Sequence, residues 1–299
     1  MKHLLRFLLP CLLLLAGCRE LDLERSHVPL AWGIRYDTPA AEAVFLPNLA
    51  YLRDVKMREL VLELPLRSDS NGLPTVPPLP LGDMPALLNR FKTHLHIVFA
   101  PTNQEELFPE GRLTVSPTVW FDGLRKAVDS TLDVFNGFSI SRVVIGSGLS
   151  LVEKEDAEWK RLIDSLKAGH DYFVSYGTRP DALGQLGFLP YCDELCVDYP
   201  PQADDNPKPF CRDVNTQIAA LADSLHKPVF VFRANVMGEQ QLEQLKNRLR
   251  FWPQEVRLRG VAMNSLYARI PLMDSTSYYG MADNPEISAF LEEYRTRED

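Results

Sequence analysis

After its first 17 residues the sequence has no apolar run near the roughly 18–20 residues that a helix needs to cross a bilayer, so the body is expected to fold in water. It lacks a basic excess: 32 Lys and Arg stand against 40 Asp and Glu, a formal charge of −8. That argues against nucleic acid as its main partner. Cysteine is scarce, with 5 in 299 residues, and no Cys-x-x-Cys pair occurs to support a cysteine metal site. His94 and His96 alternate along one strand, one face of which is buried, and no His-x-x-x-His helix pair exists. Gly184-Gln185-Leu186-Gly187 does not match a phosphate loop. Ile145-Gly146-Ser147-Gly148 follows a strand but lacks the Lys and spacing of one, and no Gly-x-Ser-x-Gly elbow is present. No metal and no cofactor are expected.

The N-terminus carries the clearest signal. Lys2 and Arg6 give a positive start, and Leu4 to Leu15 is a short apolar run. Leu15-Ala16-Gly17-Cys18 then places small residues ahead of a cysteine, as at the cleavage site of an export signal. The arrangement resembles a lipobox, in which Cys18 is lipidated and becomes the new N-terminus. Residues 1–17 read as the signal peptide, 18–29 as a charged tether, and 30–299 as the folded domain. Arg19 resembles the sorting signal of an outer-membrane lipoprotein. The expected location is the cell envelope, with the chain held on a membrane through Cys18.

Three further cysteines lie in the body. Cys192 and Cys196 sit four apart on a strand and its approach, where extended chain holds them beyond bridging distance. In an oxidising compartment the expected pairing is Cys211 with one of them, leaving an odd thiol.

Short apolar runs alternate with helical periodicity along the rest of the chain. Strands are predicted at Ala31–Tyr36, Glu59–Leu64, Leu95–Ala100, Arg142–Ile145, Tyr172–Tyr176, Glu194–Asp198, Pro228–Phe232 and Arg259–Leu266. Between them lie helical patterns at Ala40–Val55, Asp83–Thr93, Pro117–Asn136, Glu155–Gly169, Arg212–His226 and Gly238–Phe251, and a last one at Pro285–Arg295. Ala182–Phe188 reads as a short turn or helix. The strands are continuous apolar runs, such as Val143-Val144-Ile145 and Val229-Phe230-Val231-Phe232, which suits parallel strands buried on both faces. Eight strand–helix pairs predict an α/β fold, the (β/α)8 TIM barrel, over an open doubly wound sheet. The long irregular stretches Arg67–Leu81, Thr102–Ser116 and Pro200–Phe210 all follow strands, on the face where barrels build their sites.

Several stretches resemble glycoside hydrolase family 113, the β-mannanase-like barrels. They are Ile145-Gly146-Ser147-Gly148-Leu149, Glu158-Trp159-Lys160-Arg161-Leu162-Ile163, Leu195-Cys196-Val197-Asp198-Tyr199, Lys227-Pro228-Val229-Phe230 and the run from Tyr278 to Tyr294. The resemblance implies a barrel with two catalytic Glu, one after strand four and one at the end of strand seven. Retaining glycosidases hold such a pair ~5–5.5 Å apart, one as acid/base and one as nucleophile. Here the matching positions are Gly148 and Ala234. No Asp or Glu lies between Arg142 and Leu151 or between Pro228 and Gly238, so a one-residue shift rescues neither. A hydrogen and a methyl can neither donate a proton nor attack a carbon. The resemblance therefore implies a degenerate barrel, a pseudoenzyme, with a carbohydrate-sized cleft.

Other acids are candidates to act in their place: Glu63, Glu153, Asp198 and Asp274, with Asp198-Tyr199 the best placed. Arg233 reads either as a cleft cation for an anionic group or as a salt bridge filling the space of the lost Glu network. Arg35 is a second candidate cation, with Asp37 as its expected partner. Trp32, Tyr199, Asn235, Asn264 and Tyr267 are candidate cleft residues by strand position, although a core role suits Trp32 better. Three functions stay open: a non-catalytic barrel that binds a glycan or an envelope protein, a glycosidase using displaced carboxylates, and a structural envelope lipoprotein. Replacing Cys18 with Ala is expected to abolish incorporation of labelled fatty acid; undiminished labelling would refute the anchor.

Overall fold

A computed structural model describes residues 28–35, 58–79, 81, 84–199, 207–234, 239–253, 255–264 and 289–290. The helical segments expected at Ala40–Val55 and over most of Pro285–Arg295 lie outside them, as does Cys18. The strands are β1 (Leu30–Arg35), β2 (Glu59–Ser68), β3 (Pro74–Thr75), β4 (His94–Pro101), β5 (Ser139–Ser147), β6 (Phe173–Thr178), β7 (Leu195–Asp198), β8 (Val229–Arg233) and β9 (Leu258–Asn264). The helices are α1 (Met84–Phe91), α2 (Gln104–Leu107), α3 (Pro117–Val134), α4 (Asp156–Lys167), α5 (Pro207–Leu225) and α6 (Glu239–Arg250).

The strands pair in the order β1-β9-β8-β7-β6-β5-β4-β2, and β1 pairs with β2. All of these pairings are parallel. The ring is closed, so the chain is a (β/α)8 TIM barrel and the open doubly wound sheet is excluded. β3 stands apart, an antiparallel addition to β2 in the loop after it. Sequence periodicity missed both β3 and α2, because elements of two and four residues are shorter than any period.

Alternation divides the core into two layers. Leu60, Leu62 and Leu64 of β2 join the large cluster between sheet and helices. Ala31, Val61, Val98, Val144, Cys196, Phe230, Phe232 and Ala262 fill the barrel interior. The outer layer is sealed by the helix faces that periodicity named. On α3, Trp120, Phe121, Leu124, Val128 and Leu132 are buried, and the Ser116 hydroxyl caps its N-terminus by accepting from Val119 N–H, with Pro117 at the first turn. On α4, Trp159, Leu162, Ile163 and Leu166 are buried.

Cys192 and Cys196 are both buried and free. The expected disulfide from Cys211 to one of them is therefore not formed. Cys196 faces the barrel interior and Cys192 packs in the outer layer, where burial pushes its thiol pKa up to about 12. Cys211 lies in α5, and its side chain is outside the described residues.

The interior near the strand starts holds charge. Glu59, His96, Arg142 and Glu194 form a chain of contacts: Arg142 pairs with Glu194 and reaches His96, which meets Glu59. Arg142 also lies 3.6 Å over the Phe230 ring, and His96 stacks on the same ring at 5.3 Å. Arginine only donates, so Nδ1 of His96 accepts and Nε2 carries the proton toward Glu59. Burial, then Arg142, holds the His96 pKa below its ordinary value. The Glu59 pKa is also lowered, by its hydrogen bond to His96 and the nearby cations, despite burial.

Both shifts act in the same direction on stability. A histidine with a depressed folded pKa lets the unfolded chain take the proton first, so stability falls as pH drops below about 6.5. The depressed Glu59 adds a second loss as pH falls through the carboxylate range. Urea denaturation should show the midpoint falling from pH 7.5 to 5, and His96→Gln should flatten that upper step. Arg142→Ala strands Glu194 in the interior and should cost about 3–5 kcal/mol at neutral pH.

Candidate active site at the barrel mouth

The C-terminal strand ends bring four charged side chains together. Arg35 ends β1, Glu63 lies on β2, Asp198 ends β7 and Arg233 ends β8. Glu63 follows Val61 on the inward face, so its carboxylate enters the interior almost wholly buried. Arg233 donates through Nη1 to Asp198 at 2.8 Å and through Nη2 to Glu63 at 2.7 Å. Arg35 lies 3.5 Å from Glu63 and donates to the Pro101 carbonyl at 2.9 Å. Its partner among the described residues is thus Glu63; Asp37, the partner expected from sequence, lies outside them.

A bulge explains how Arg233 reaches the mouth. Val197 pairs with Val231, but the next residue, Asp198, pairs with Arg233. Phe232 is the extra residue, and such an insertion re-aims the side chain that follows. Phe232 stays in the barrel interior, and the Arg233 guanidinium lies 5.0 Å over its ring. Ala234 is fully buried in the outer apolar layer. The residue of this strand end that faces the mouth is therefore Arg233, and Ala234 points away from it.

Gly148 departs from a simple lost side chain as well. Its φ is +66°, in the left-handed region, so a glutamate there would be strained by roughly 1–2 kcal/mol. The turn is held in place from several sides. Tyr176 Oη accepts from Leu149 N–H at 2.8 Å and donates to Glu153 at 2.7 Å. Trp159 Nε1 donates to the Val152 carbonyl at 2.8 Å, and Gln104 of α2 donates to the Gly148 carbonyl. Glu153 is thereby committed to Tyr176, away from Glu63 and Asp198.

Other candidates fall elsewhere. Trp32 is buried in the outer layer, the core role that suited it better. Tyr199 is also core and does not line the cleft: its hydroxyl pairs with Asn215 at 2.5 Å and its ring lies under Arg248. One step past Asp198, its side chain leaves on the opposite side of the strand. Asn264 ends β9, but its side chain is outside the described residues, as are Asn235, Tyr267 and Asp274. Sequence reasoning named Glu63, Asp198, Arg233 and Arg35 singly; their convergence follows from strand order and the bulge.

Burial outweighs Arg233 at Asp198 and holds its carboxyl above the usual carboxylate value. Its Oδ1 is buried without a hydrogen bond among the described residues.

No family model matches the chain, and no curated protein matches it by sequence. Solved structures do. The GH113 β-mannanase AaManA from Alicyclobacillus acidocaldarius, in complex with ManMIm, superposes with a TM-score of 0.65 at 14% identity, over 90% of this chain and 97% of that one. The chain shares the (β/α)8 barrel fold of this structure. A GH113 β-1,4-mannanase gives 0.65 at 12% identity over 90% and 98%. A β-glucuronidase from Ruminococcus gnavus, in complex with uronic isofagomine, gives 0.63 at 10% identity, over 89% of this chain but 50% of that chain. At these identities the likeness carries the fold and no chemistry.

Removing the shared cation should expose the charge balance of this mouth. Arg233→Ala leaves Asp198 without its cation and Glu63 with Arg35 alone, at a cost of about 3 kcal/mol at pH 7. The Asp198 carboxyl, already raised by burial, should then hold its proton still more tightly than in the unfolded chain. A group with a raised folded pKa adds stability below its unfolded value and loses it as pH rises. The deficit measured by urea denaturation should therefore shrink between pH 7 and pH 5.

Proposed function

We propose that this protein is a lipid-anchored, non-catalytic member of the cell envelope whose barrel mouth binds a glycan. The observation that carries the reading is the Arg233 guanidinium held between Glu63 and Asp198. A glycosidase needs one carboxyl free to protonate a leaving oxygen and another free to attack or to activate water. A cation bridging both carboxylates occupies the space where a reacting sugar carbon would sit. The positions matching the two catalytic Glu are Gly148 and Ala234, one strained for any side chain and the other turned outward. What stays available is a polar rim with two guanidinium groups, which suits hydroxyl-rich ligands. The anchor at Cys18 and the outer-membrane location come from the N-terminal sequence. The neighbours' glycans, mannan-type and uronic, set the first ligands to try.

A second reading has one observation in its favour. Glu63 and Asp198 do converge, and the raised Asp198 pKa is the property of a proton donor. In that reading Arg233 would swing aside and the displaced pair would hydrolyse a glycosidic bond.

The purified chain should be screened against manno- and glucurono-oligosaccharides for binding by calorimetry and for products by chromatography. The expected result is saturable binding that Asp198→Asn weakens, with the glycan recovered intact. Product release abolished by Asp198→Asn or Glu63→Gln would establish the enzyme instead. Absence of both binding and turnover would leave an envelope protein partner as the role.

A further inference from the structure

A cavity of about 440 Å3 opens at the opposite end of the barrel, among the strand starts. It is lined by Glu59, His96, Arg142, Phe173, Phe230, Arg257 and Arg259, with Ser141 at its edge and Val28 and Pro29 where the chain enters the barrel. Most of its charge is already balanced. Arg142 is neutralised by Glu194, and His96 is shared between Glu59 and Arg142. Asp193 close by is paired with Lys167 at 2.5 Å.

Two cations are left over. Arg257 precedes β9 and Arg259 lies within it, two residues apart, so both side chains leave the same face. Neither has an ion pair or a hydrogen bond from its side chain among the described residues. The Arg259 guanidinium lies 4.0 Å over the Phe173 ring, and its Nε is buried with no acceptor. Desolvation, followed by the charges of Arg257 and Arg142, outweighs nearby Glu194 and Asp193 and lowers the Arg259 pKa. A buried N–H without an acceptor is unusual in a folded protein, and the Arg257 charge repels Arg259 beside it. An anion seated between the two guanidinium groups would remove both costs.

We propose that this cavity is an anion site for a phosphate group, gripped by Arg257 and Arg259. Guanidinium forks match the geometry of phosphate oxygens, and the Ser141 hydroxyl supplies a further donor at the edge. Glu59 and Glu194 also face this end of the barrel, but both are engaged with His96 and Arg142. The phosphate has two sources: a free phosphate or phosphate ester, or the headgroup of an anionic lipid. The second follows from position, because Val28 at the rim is ten residues beyond Cys18, a reach of at most ~36 Å. The site lies away from the mouth and stands or falls independently of glycan binding there.

Calorimetric titration of the purified full chain with inorganic phosphate is expected to give saturable binding, weakened about tenfold or more by Arg259→Gln and by Arg257→Gln. Arg257 is exposed, so its replacement keeps the fold intact, as far-ultraviolet circular dichroism would verify. Co-sedimentation of the Cys18→Ala chain with phosphatidylglycerol or phosphatidylcholine vesicles separates the sources. Preference for phosphatidylglycerol that Arg257→Gln removes identifies a lipid headgroup. Phosphate binding without that preference identifies a free phosphate or ester. Neither phosphate binding nor a lipid preference, or binding that both arginine variants leave unchanged, would overturn the proposal.

Discussion

A charge inside a closed barrel has little water to turn to, and much of this protein follows from that constraint. Eight parallel strands leave an interior wide enough for side chains and little else. Each ionised group that enters it must meet an opposite charge or give up its own. The strand starts meet the demand with Glu59, His96, Arg142 and Glu194 around the Phe230 ring. The strand ends meet it with Glu63, Arg233, Asp198 and Arg35. The apolar middle, with Val61, Val98, Val144 and Phe232, separates the two charged ends.

The same constraint governs what the mouth can do. In a glycosidase the barrel end holds carboxylates that are buried yet uncommitted, and that costs stability. Here the carboxylates share a guanidinium, and that cost is relieved. The β8 bulge couples these facts, since one extra residue turns Arg233 toward the mouth and Ala234 toward the helices. The Gly148 turn on the other side is held by Tyr176, Trp159 and Gln104, so its left-handed backbone is built into the surrounding packing.

Much of the fold was legible in the chain. The apolar runs marked the barrel strands to within a few residues, because a strand buried on both faces must be apolar at nearly every position. The buried stripes of α3 and α4 were readable from helical spacing alone. The expected disulfide from Cys211 to one of the other two failed because spacing says nothing of which layer a cysteine enters; Cys196 faces the barrel interior and Cys192 packs in the outer layer, both free. Tyr199 failed as a cleft residue because one step along a strand reverses the side a residue faces.

The sequence by itself determined a mouth without glutamate at two expected positions, since the identities of Gly148 and Ala234 need no coordinates. It also favoured the barrel over an open doubly wound sheet by strand count, a choice that the β1–β2 pairing then settled. Only the tertiary structure decided that Glu63 and Asp198, 135 positions apart in the chain, share one cation. It alone placed Arg257 beside Arg259, neither of them in an ion pair among the described residues. Pairing of distant charges depends on closure and on the bulge, and neither leaves a local periodic mark in a sequence.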